Sequence, residues 1–216
     1  MKLTIGIPCY NQQSYLADAI ESALLQGDVE VIVCDDGSTD NSLEVAKRFP
    51  VKVIHQVNKG LASARNTLIM NMTGDYFLPL DADDILLDNC VPKIKEVIEK
   101  TGADIVAPSF KEFGISNREV ILGDPTLEDF KTANRIGYFS AIKKEALLEV
   151  GGYSPRMTWG AEDYHLWINL LSIGKKLVTI KEPLVLYRTK KESMWTETQK
   201  HQEDYMKQIS KDFYEN

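Results

Sequence analysis

The 216-residue chain has few cysteines and a shortage of positive charge. Its three cysteines, Cys9, Cys34 and Cys90, are an odd number without metal-site spacing, so we expect free thiols and neither a disulfide framework nor a zinc site. Lys and Arg number 25 against 32 Asp and Glu, which gives a formal net charge of −7. Because nucleic-acid binding draws most of its affinity from basic side chains, this balance argues against a nucleic-acid partner.

Long apolar runs are missing as well. No stretch approaches the ~18 to 20 consecutive apolar residues that a membrane-spanning helix needs. Met1 to Gly6 leads directly into a predicted strand and does not resemble a signal-peptide core, so we expect a cytoplasmic protein. No repeat or low-complexity tract is present, and 44% hydrophobic residues suffice for one domain with a short extension.

Short apolar runs alternate with segments of helical spacing in the first half. The predicted strands are Leu3 to Ile7, Val29 to Cys34, Val51 to Ile54, Tyr76 to Leu80 and Ile105 to Ala107. The predicted helices are Ser14 to Leu25, Asn41 to Phe49, Leu61 to Met72 and Asp88 to Lys100. This alternation predicts an α/β fold: a doubly wound, mostly parallel sheet of Rossmann-like type, flanked by helices, with ligand sites beyond the carboxyl ends of the strands.

The second half is less regular. We expect a hairpin around Phe110 to Leu122, a helix beginning near Glu162, and a final strand from Leu177 to Ile180 that ends before Pro183.

The tail from Glu197 to Asn216 is predicted to be helical, with Tyr205, Ile209 and Phe213 forming one apolar stripe. The stripe either packs on the domain or contacts a membrane surface, and packing is the preferred interpretation.

Polar clusters follow three of the predicted strands: Pro8-Cys9-Tyr10-Asn11, Asp35-Asp36-Gly37-Ser38 and Asp81-Ala82-Asp83-Asp84. Carboxylates crowded at a strand end repel one another unless a cation offsets them. Mg²⁺ and Mn²⁺ prefer oxygen ligands and are commonly held by one or two carboxylates together with substrate phosphates. The Asp-x-Asp pattern therefore predicts a divalent metal beside a diphosphate, with a solvated acidic turn as the alternative.

Glu162 and Asp163 stand at a predicted helix start, where the helix dipole favours an ionised acid. Either residue can serve as a general base, and simple helix capping is the alternative. Trp159 and Gly160 precede them and are candidates for the wall of a sugar pocket. Arg65, on another predicted helix, can reach phosphate or an acidic partner, or form a surface salt bridge.

Together these segments resemble glycosyltransferase family 2, the inverting enzymes of GT-A fold. The resemblance covers about residues 3–193. The matching segments are Ile7 to Asn11, Val33 to Asp40, Asn58 to Gly60, Ala64 to Asn66, Leu80 to Asp84, Gly151 to Tyr153 and Glu162 to Trp167. It implies a single GT-A domain over 1–193, with a nucleotide-binding half over about 1–108, an acceptor-binding half over about 109–193, and a helical extension over 194–216.

The resemblance also implies roles for individual residues. Pro8, Tyr10 and Asp36 are implied to surround the nucleobase, Arg65 to help hold the nucleotide, and Asp81 to lie near the ribose. Asp83 is implied to bind Mn²⁺ or Mg²⁺. Asp163 is implied to be the catalytic base, with Glu162 supporting it.

The chain departs from the family at Lys190. Many members carry Tyr-Arg-x-His-x-x-Ser after the last strand, with the histidine reaching the metal or the diphosphate. Here the segment Tyr187 to Ser193 has lysine in the histidine's place. A protonated lysine cannot ligate a metal, so we expect Lys190 to contact the diphosphate; weakened metal binding and reduced activity are the alternatives.

The implied function is inverting transfer of a hexosyl or N-acetylhexosaminyl group from a nucleotide-diphosphate sugar, with a UDP-sugar preferred. The expected acceptor is a saccharide or lipid-linked hydroxyl in bacterial surface polysaccharide synthesis. A nucleotide-sugar binding protein without transfer activity remains open, as does a phosphatase using Asp81, although in haloacid-dehalogenase-like enzymes the nucleophile usually follows the first strand. A homodimer and peripheral contact with the inner face of the membrane also remain open.

Overall fold

The computed structural model describes residues 1–157, 160–191 and 198–213, which form nine strands in one sheet, seven α-helices and one 3₁₀ helix. The strands are β1 (Leu3–Cys9), β2 (Val29–Asp35), β3 (Lys52–His55), β4 (Tyr76–Pro79), β5 (Ile85–Leu86), β6 (Ile105–Gly114), β7 (Glu119–Val120), β8 (Ala141–Lys143) and β9 (Leu177–Thr189). The α-helices are α1 (Leu16–Leu24), α2 (Ser42–Ala46), α3 (Leu61–Asn71), α4 (Cys90–Thr101), α5 (Lys144–Glu149), α6 (Glu162–Ser172) and α7 (Gln202–Phe213). The 3₁₀ helix spans Leu127–Lys131.

The first half of the sheet is parallel, in the order β3-β2-β1-β4. The central strands β1 and β4 are buried on both faces, as expected where helices cover a parallel sheet, whereas the edge strand β3 is partly exposed. On one face Ile5 and Ile7 pack in a cluster with Ile20 of α1. On the other face Ile32 packs with Leu68 of α3. This confirms the predicted doubly wound arrangement, and it places the carboxyl ends of β1, β2 and β4 along one rim.

The second half completes a mixed sheet. Strand β8 runs antiparallel between β4 and β6, while β6 pairs in parallel with β9 and forms the expected hairpin with β7. The prediction that the last strand ends before Pro183 was wrong, because β9 continues to Thr189. A register shift opposite Pro183 absorbs its missing N–H, as bulges commonly do. The longer strand carries Arg188 to the rim.

The tail helix α7 packs on the domain. Tyr205 and Ile209 are only 6% and 1% exposed and belong to the cluster that includes α6, and Phe213 packs against that cluster. This confirms the packing interpretation. Within the described ranges, no helix is long and apolar enough to cross a membrane. The predicted boundary between residues 193 and 194 lies outside the described residues and stays a prediction.

We expect Ile209→Ala to lower the free energy of unfolding by about 2 to 4 kcal/mol, the usual cost of truncating a buried isoleucine. Urea denaturation followed by circular dichroism measures the change. Lys207→Ala is the control, since Lys207 is exposed on the same helix. Equal stability of the two variants would contradict the docking of α7.

Candidate active site

A cavity of about 720 Å³ opens at the carboxyl ends of β1 and β4 and at the start of α6. This volume lies within the range of about 300 to 1,000 Å³ that is common for ligand sites. The predicted site residues that line it are Pro8, Tyr10, Asp36, Arg65, Asp81, Asp83, Gly160, Glu162, Asp163 and Lys190. Trp159 lies outside the described residues. The structure therefore brings the other candidates into one cavity, while their individual roles stay predictions.

Asp36, assigned to the nucleotide base, is buried and holds the loop that precedes α3. Its Oδ1 accepts hydrogen bonds from Gln56 Nε2 at 2.6 Å and from Lys59 N at 3.0 Å, and its Oδ2 accepts one from Gly60 N at 2.8 Å. This carboxylate thus orders the loop beside the cavity, and its predicted contact with a nucleotide base stays a prediction. Tyr10 lies next to this loop, because the N–H of Asp36 donates to the carbonyl of Cys9 at 2.8 Å, and it is 47% exposed, which leaves its ring available for stacking.

The turn after Asp36 requires glycine. Gly37 has φ +76°, and a Cβ at this position would lie 2.7 Å from the backbone nitrogen of Asn58. A side chain here would therefore push away the same loop that Asp36 holds.

Arg65 joins three elements at the centre of the site. Its side chain is 1% exposed; Nη2 donates to Asp81 Oδ1 at 2.8 Å, and Nη1 donates to Glu162 Oε1. The guanidinium also lies 4.9 Å and 5.3 Å from the ring centroids of Tyr138 and Tyr153. Both terminal nitrogens of the guanidinium are thus bonded to carboxylates, and the predicted contact of Arg65 with the nucleotide stays a prediction.

The carboxylates around Arg65 have raised pKa values. Burial raises the pKa of Asp81 to about 6, with Arg65 opposing the shift. Burial also raises the pKa of Glu162, again against the attraction of Arg65. Burial therefore disfavours the ionised form of these carboxylates, and the positive charge of Arg65 offsets part of this effect.

Two hydrogen bonds orient the carboxylate of Asp163. Its Oδ1 accepts the N–H of Tyr164 at 2.8 Å, and its Oδ2 accepts a hydrogen bond from Asn134 Nδ2 at 3.0 Å. Burial raises the pKa of the Asp163 carboxyl, and Arg65 opposes the rise. A carboxylate with a raised pKa accepts a proton more readily at neutral pH, as general-base catalysis requires.

A strained turn precedes Asp163. Gly160 and Ala161 have φ of +91° and +61°, so the chain enters α6 through two left-handed residues. A Cβ on Gly160 would lie 2.3 Å from Thr198 Oγ1, close to the start of the tail helix. Only glycine fits at this approach, and Ala161 carries backbone strain of the kind that clusters at active sites.

Asp84, the last residue of the acidic cluster, is structural. It is buried, and its carboxylate accepts hydrogen bonds from Arg188 N at 2.6 Å and from the Tyr138 hydroxyl at 2.5 Å. The same hydroxyl accepts the N–H of Asp81 at 2.9 Å. Burial, together with the neighbouring carboxylates, raises the pKa of Asp84 well above its usual value. Asp84 therefore ties the end of β9 to the rim of the cavity.

The predicted metal ligand Asp83 already has a cationic partner. Lys190 Nζ lies 2.7 Å from Asp83 Oδ2. In the part of the chain that the structure describes, no group of three or more His, Cys, Asp or Glu side chains could hold a metal ion by itself, so an ion at this place would depend on Asp83 and on the donor phosphates. A divalent ion on Asp83 would meet the lysine charge at contact distance, so this arrangement does not fit the predicted Mn²⁺ or Mg²⁺ site. Lys190 lines the cavity, as predicted, but its ammonium is directed at a carboxylate.

Sequence reasoning missed several side chains that build this site. Gln56 donates a hydrogen bond to Asp36, and Asn134 donates one to Asp163. Tyr138 donates to Asp84, and Arg188 donates to the carbonyl oxygen of Asp83. Tyr138 and Asn134 lie in an irregular stretch without periodicity, so no local pattern marked them. Arg188 was visible as part of the Tyr-Arg segment, but its partner was not.

The mixed sheet and its rim cavity, with carboxylates at the start of α6 and an acidic cluster after β4, define the GT-A class of fold. The family model for Glycosyl transferase family 2 matches residues 4–165, and the chain belongs to that family.

Comparison with known proteins agrees with this assignment. The glycosyltransferase GlyA of Streptococcus pneumoniae is 30% identical over 93% of this chain, but this chain covers only 33% of GlyA. TarS 1–349 of S. aureus, solved with UDP-GlcNAc, superposes with a TM-score of 0.79 at 18% identity over 91% of this chain and 61% of TarS. The mannosyltransferase PcManGT of Pyrobaculum calidifontis, solved with GDP-Man and Mn²⁺, gives a TM-score of 0.71 at 18% identity, over 90% of this chain and 59% of PcManGT. Both structural likenesses support the fold.

Proposed function

We propose that the chain transfers one sugar from a nucleotide-diphosphate donor to an acceptor hydroxyl with inversion at the anomeric carbon. The observation that carries the proposal is the single cavity in which Asp163, a carboxylate with a raised pKa, shares the lining with the Asp81–Asp83 rim and with Tyr10. A base and a polar rim in one ligand-sized cavity are what this transfer requires.

The chemistry assigns each bond to a group. Ionised Asp163 accepts the proton of the acceptor hydroxyl as that oxygen forms a bond to the anomeric carbon. The bond between that carbon and the diphosphate oxygen breaks on the opposite face, and the nucleoside diphosphate leaves with the electron pair. Asn134 and the N–H of Tyr164 hold the carboxylate in one orientation, which keeps the base aligned with the hydroxyl.

The donor we propose first is a UDP-sugar carrying an N-acetylhexosamine, with a hexose as the second choice. Support comes from TarS, which was solved with UDP-GlcNAc, while PcManGT was solved with GDP-Man. Surface polysaccharide synthesis is the proposed setting. Because this chain spans a third of GlyA, the acceptor of the whole protein belongs to the proposal too.

A binding protein without transfer activity is the second candidate, and the occupied Asp83 is the observation in its favour. Asp163 argues against it, since a strained turn and two hydrogen bonds orient a base that mere binding does not need. The phosphatase alternative is not favoured, because Asp81 follows β4 and its Oδ1 is held by Arg65.

Isothermal titration with UDP, GDP, dTDP and CDP tests the proposal. We expect UDP to bind at least about tenfold more tightly than the other three, a difference that corresponds to a few specific hydrogen bonds to the base. Transfer from the matching nucleotide sugar, with NMR assignment of the product anomer, then tests inversion. If none of the four nucleotides binds, with or without Mn²⁺, the enzyme assignment fails.

A further inference from the structure

The pair formed by Asp83 and Lys190 lies at the cavity wall. Its two side chains are 23% and 24% exposed, so solvent and ligands reach both. The ammonium also lies 4.2 Å from the ring centroid of Tyr15. Thr189, the preceding residue, is tied to the sheet because its Oγ1 donates to the carbonyl of Phe113 at 2.9 Å. Lys190 is therefore held in place from its backbone to its charged end.

A second cation adjoins this pair. Arg188 Nε donates to the carbonyl oxygen of Asp83 at 2.8 Å, and its guanidinium lies 4.5 Å from the ring centroid of Tyr15 and 4.2 Å from that of Phe113. Both Arg188 and Lys190 line the cavity. The acidic cluster is thus bordered by two protein cations at the cavity wall.

We propose that the Lys190 ammonium, oriented by Asp83, is the cation that binds the donor diphosphate, so that donor binding does not depend on a divalent metal. This inference rests on the proposed function. An ammonium has three N–H donors, and one bond to Asp83 leaves two for phosphate oxygens. Its positive charge offsets the charge that develops on the departing diphosphate, a favourable interaction in a site of low dielectric.

Calorimetry of the wild type with UDP, GDP, dTDP and CDP, in EDTA and then in Mn²⁺, is the first test. For the nucleotide that binds most tightly, we expect the two Kd values to agree within roughly threefold. Mn²⁺ titrated alone should give no binding heat. Binding that requires Mn²⁺ overturns this inference and leaves the proposed function standing, whereas absence of nucleotide binding in both buffers overturns both.

Lysine variants isolate the cation. Lys190→Ala should weaken nucleotide binding in EDTA by roughly tenfold or more, because charge-assisted hydrogen bonds are lost. Lys190→Arg should keep most of the affinity. Lys191→Ala is the matched control, since it removes the same charge from the exposed neighbouring position. Unchanged binding by Lys190→Ala in EDTA, or equal losses in the Lys190 and Lys191 variants, overturns the inference.

Lys190→His tests the exchange of cations directly. Histidine is the residue that many members of the family carry at this position, and it can ligate a metal. We expect nucleotide affinity of this variant to rise roughly tenfold when Mn²⁺ replaces EDTA. Thermal unfolding of each variant checks that it is folded. If the nucleotide affinity of Lys190→His is the same in EDTA and in Mn²⁺, the assignment of Lys190 as the cation that binds the diphosphate is contradicted.

Discussion

Replacing Asp163 with asparagine is expected to lower kcat by about 10²- to 10⁴-fold, the range that a general base contributes. Asparagine has nearly the same shape, and its amide oxygen can still accept the N–H of Tyr164, so the turn at α6 should persist. It cannot take up a proton from the acceptor hydroxyl. Donor affinity should therefore stay within roughly threefold of the wild type in calorimetry.

Asp88→Asn serves as the control, because it makes the same chemical change at an exposed position outside the cavity. Its kcat should equal that of the wild type. Full activity of Asp163→Asn would exclude Asp163 as the base.

The pH profile gives an independent test of the same residue. Since the base must be ionised, kcat/KM should be lost as the pH falls through the pKa of Asp163, which burial raises above the usual aspartate value. Asn134 donates a hydrogen bond to this carboxylate and thereby favours its ionised form. Asn134→Ala should therefore shift the acid limb of the profile to higher pH. An unchanged acid limb would mean that Asn134 does not affect the pKa of the catalytic base.

Replacing Arg65 with methionine should give the largest loss of stability, about 3 to 5 kcal/mol near pH 7.5, the usual cost of removing one partner from a buried ion pair. Methionine fills much of the volume but leaves Asp81 and Glu162 without their cation. Urea denaturation followed by fluorescence measures the loss. Arg48→Met, at an exposed arginine, is the control and should unfold like the wild type.

The loss should shrink at lower pH. Without Arg65 the folded-state pKa values of Asp81 and Glu162 rise further above their unfolded values, so the folded variant binds more protons than the unfolded chain. Its stability relative to the wild type should then increase as the pH falls from about 7.5 to about 5. A pH-independent difference would mean that lost packing, and not unpaired charge, causes the instability.

Much of the fold and of the candidate site could be predicted because both depend on local patterns. Buried parallel strands are continuous apolar runs, so β1, β2 and β4 were visible in the sequence. Residues that directly follow parallel strands lie at the same edge of the sheet, independently of the conformation of the connecting loops. Tyr10, Asp36 and Asp81 were therefore correctly expected in one cavity.

The course of β9 and the stretch from 132 to 138 were not predictable in this way. A proline normally ends a strand, and whether a bulge absorbs it depends on the neighbouring strand β6, which is distant in sequence. Asn134 and Tyr138 lie in irregular backbone, and their importance arises from contacts with Asp163 and Asp84.

By itself the sequence determined the fold class, the family and the candidate residues at the strand ends and at the start of α6 that line the cavity, because hydrophobic periodicity and these motifs are local properties. The tertiary structure decided which charges meet. It paired Arg65 with Asp81 and Glu162. It also placed Lys190 beside Asp83, which lies more than 100 residues earlier in the chain. An ion pair between distant segments follows from the register of strands and the length of β9, neither of which any local pattern encodes.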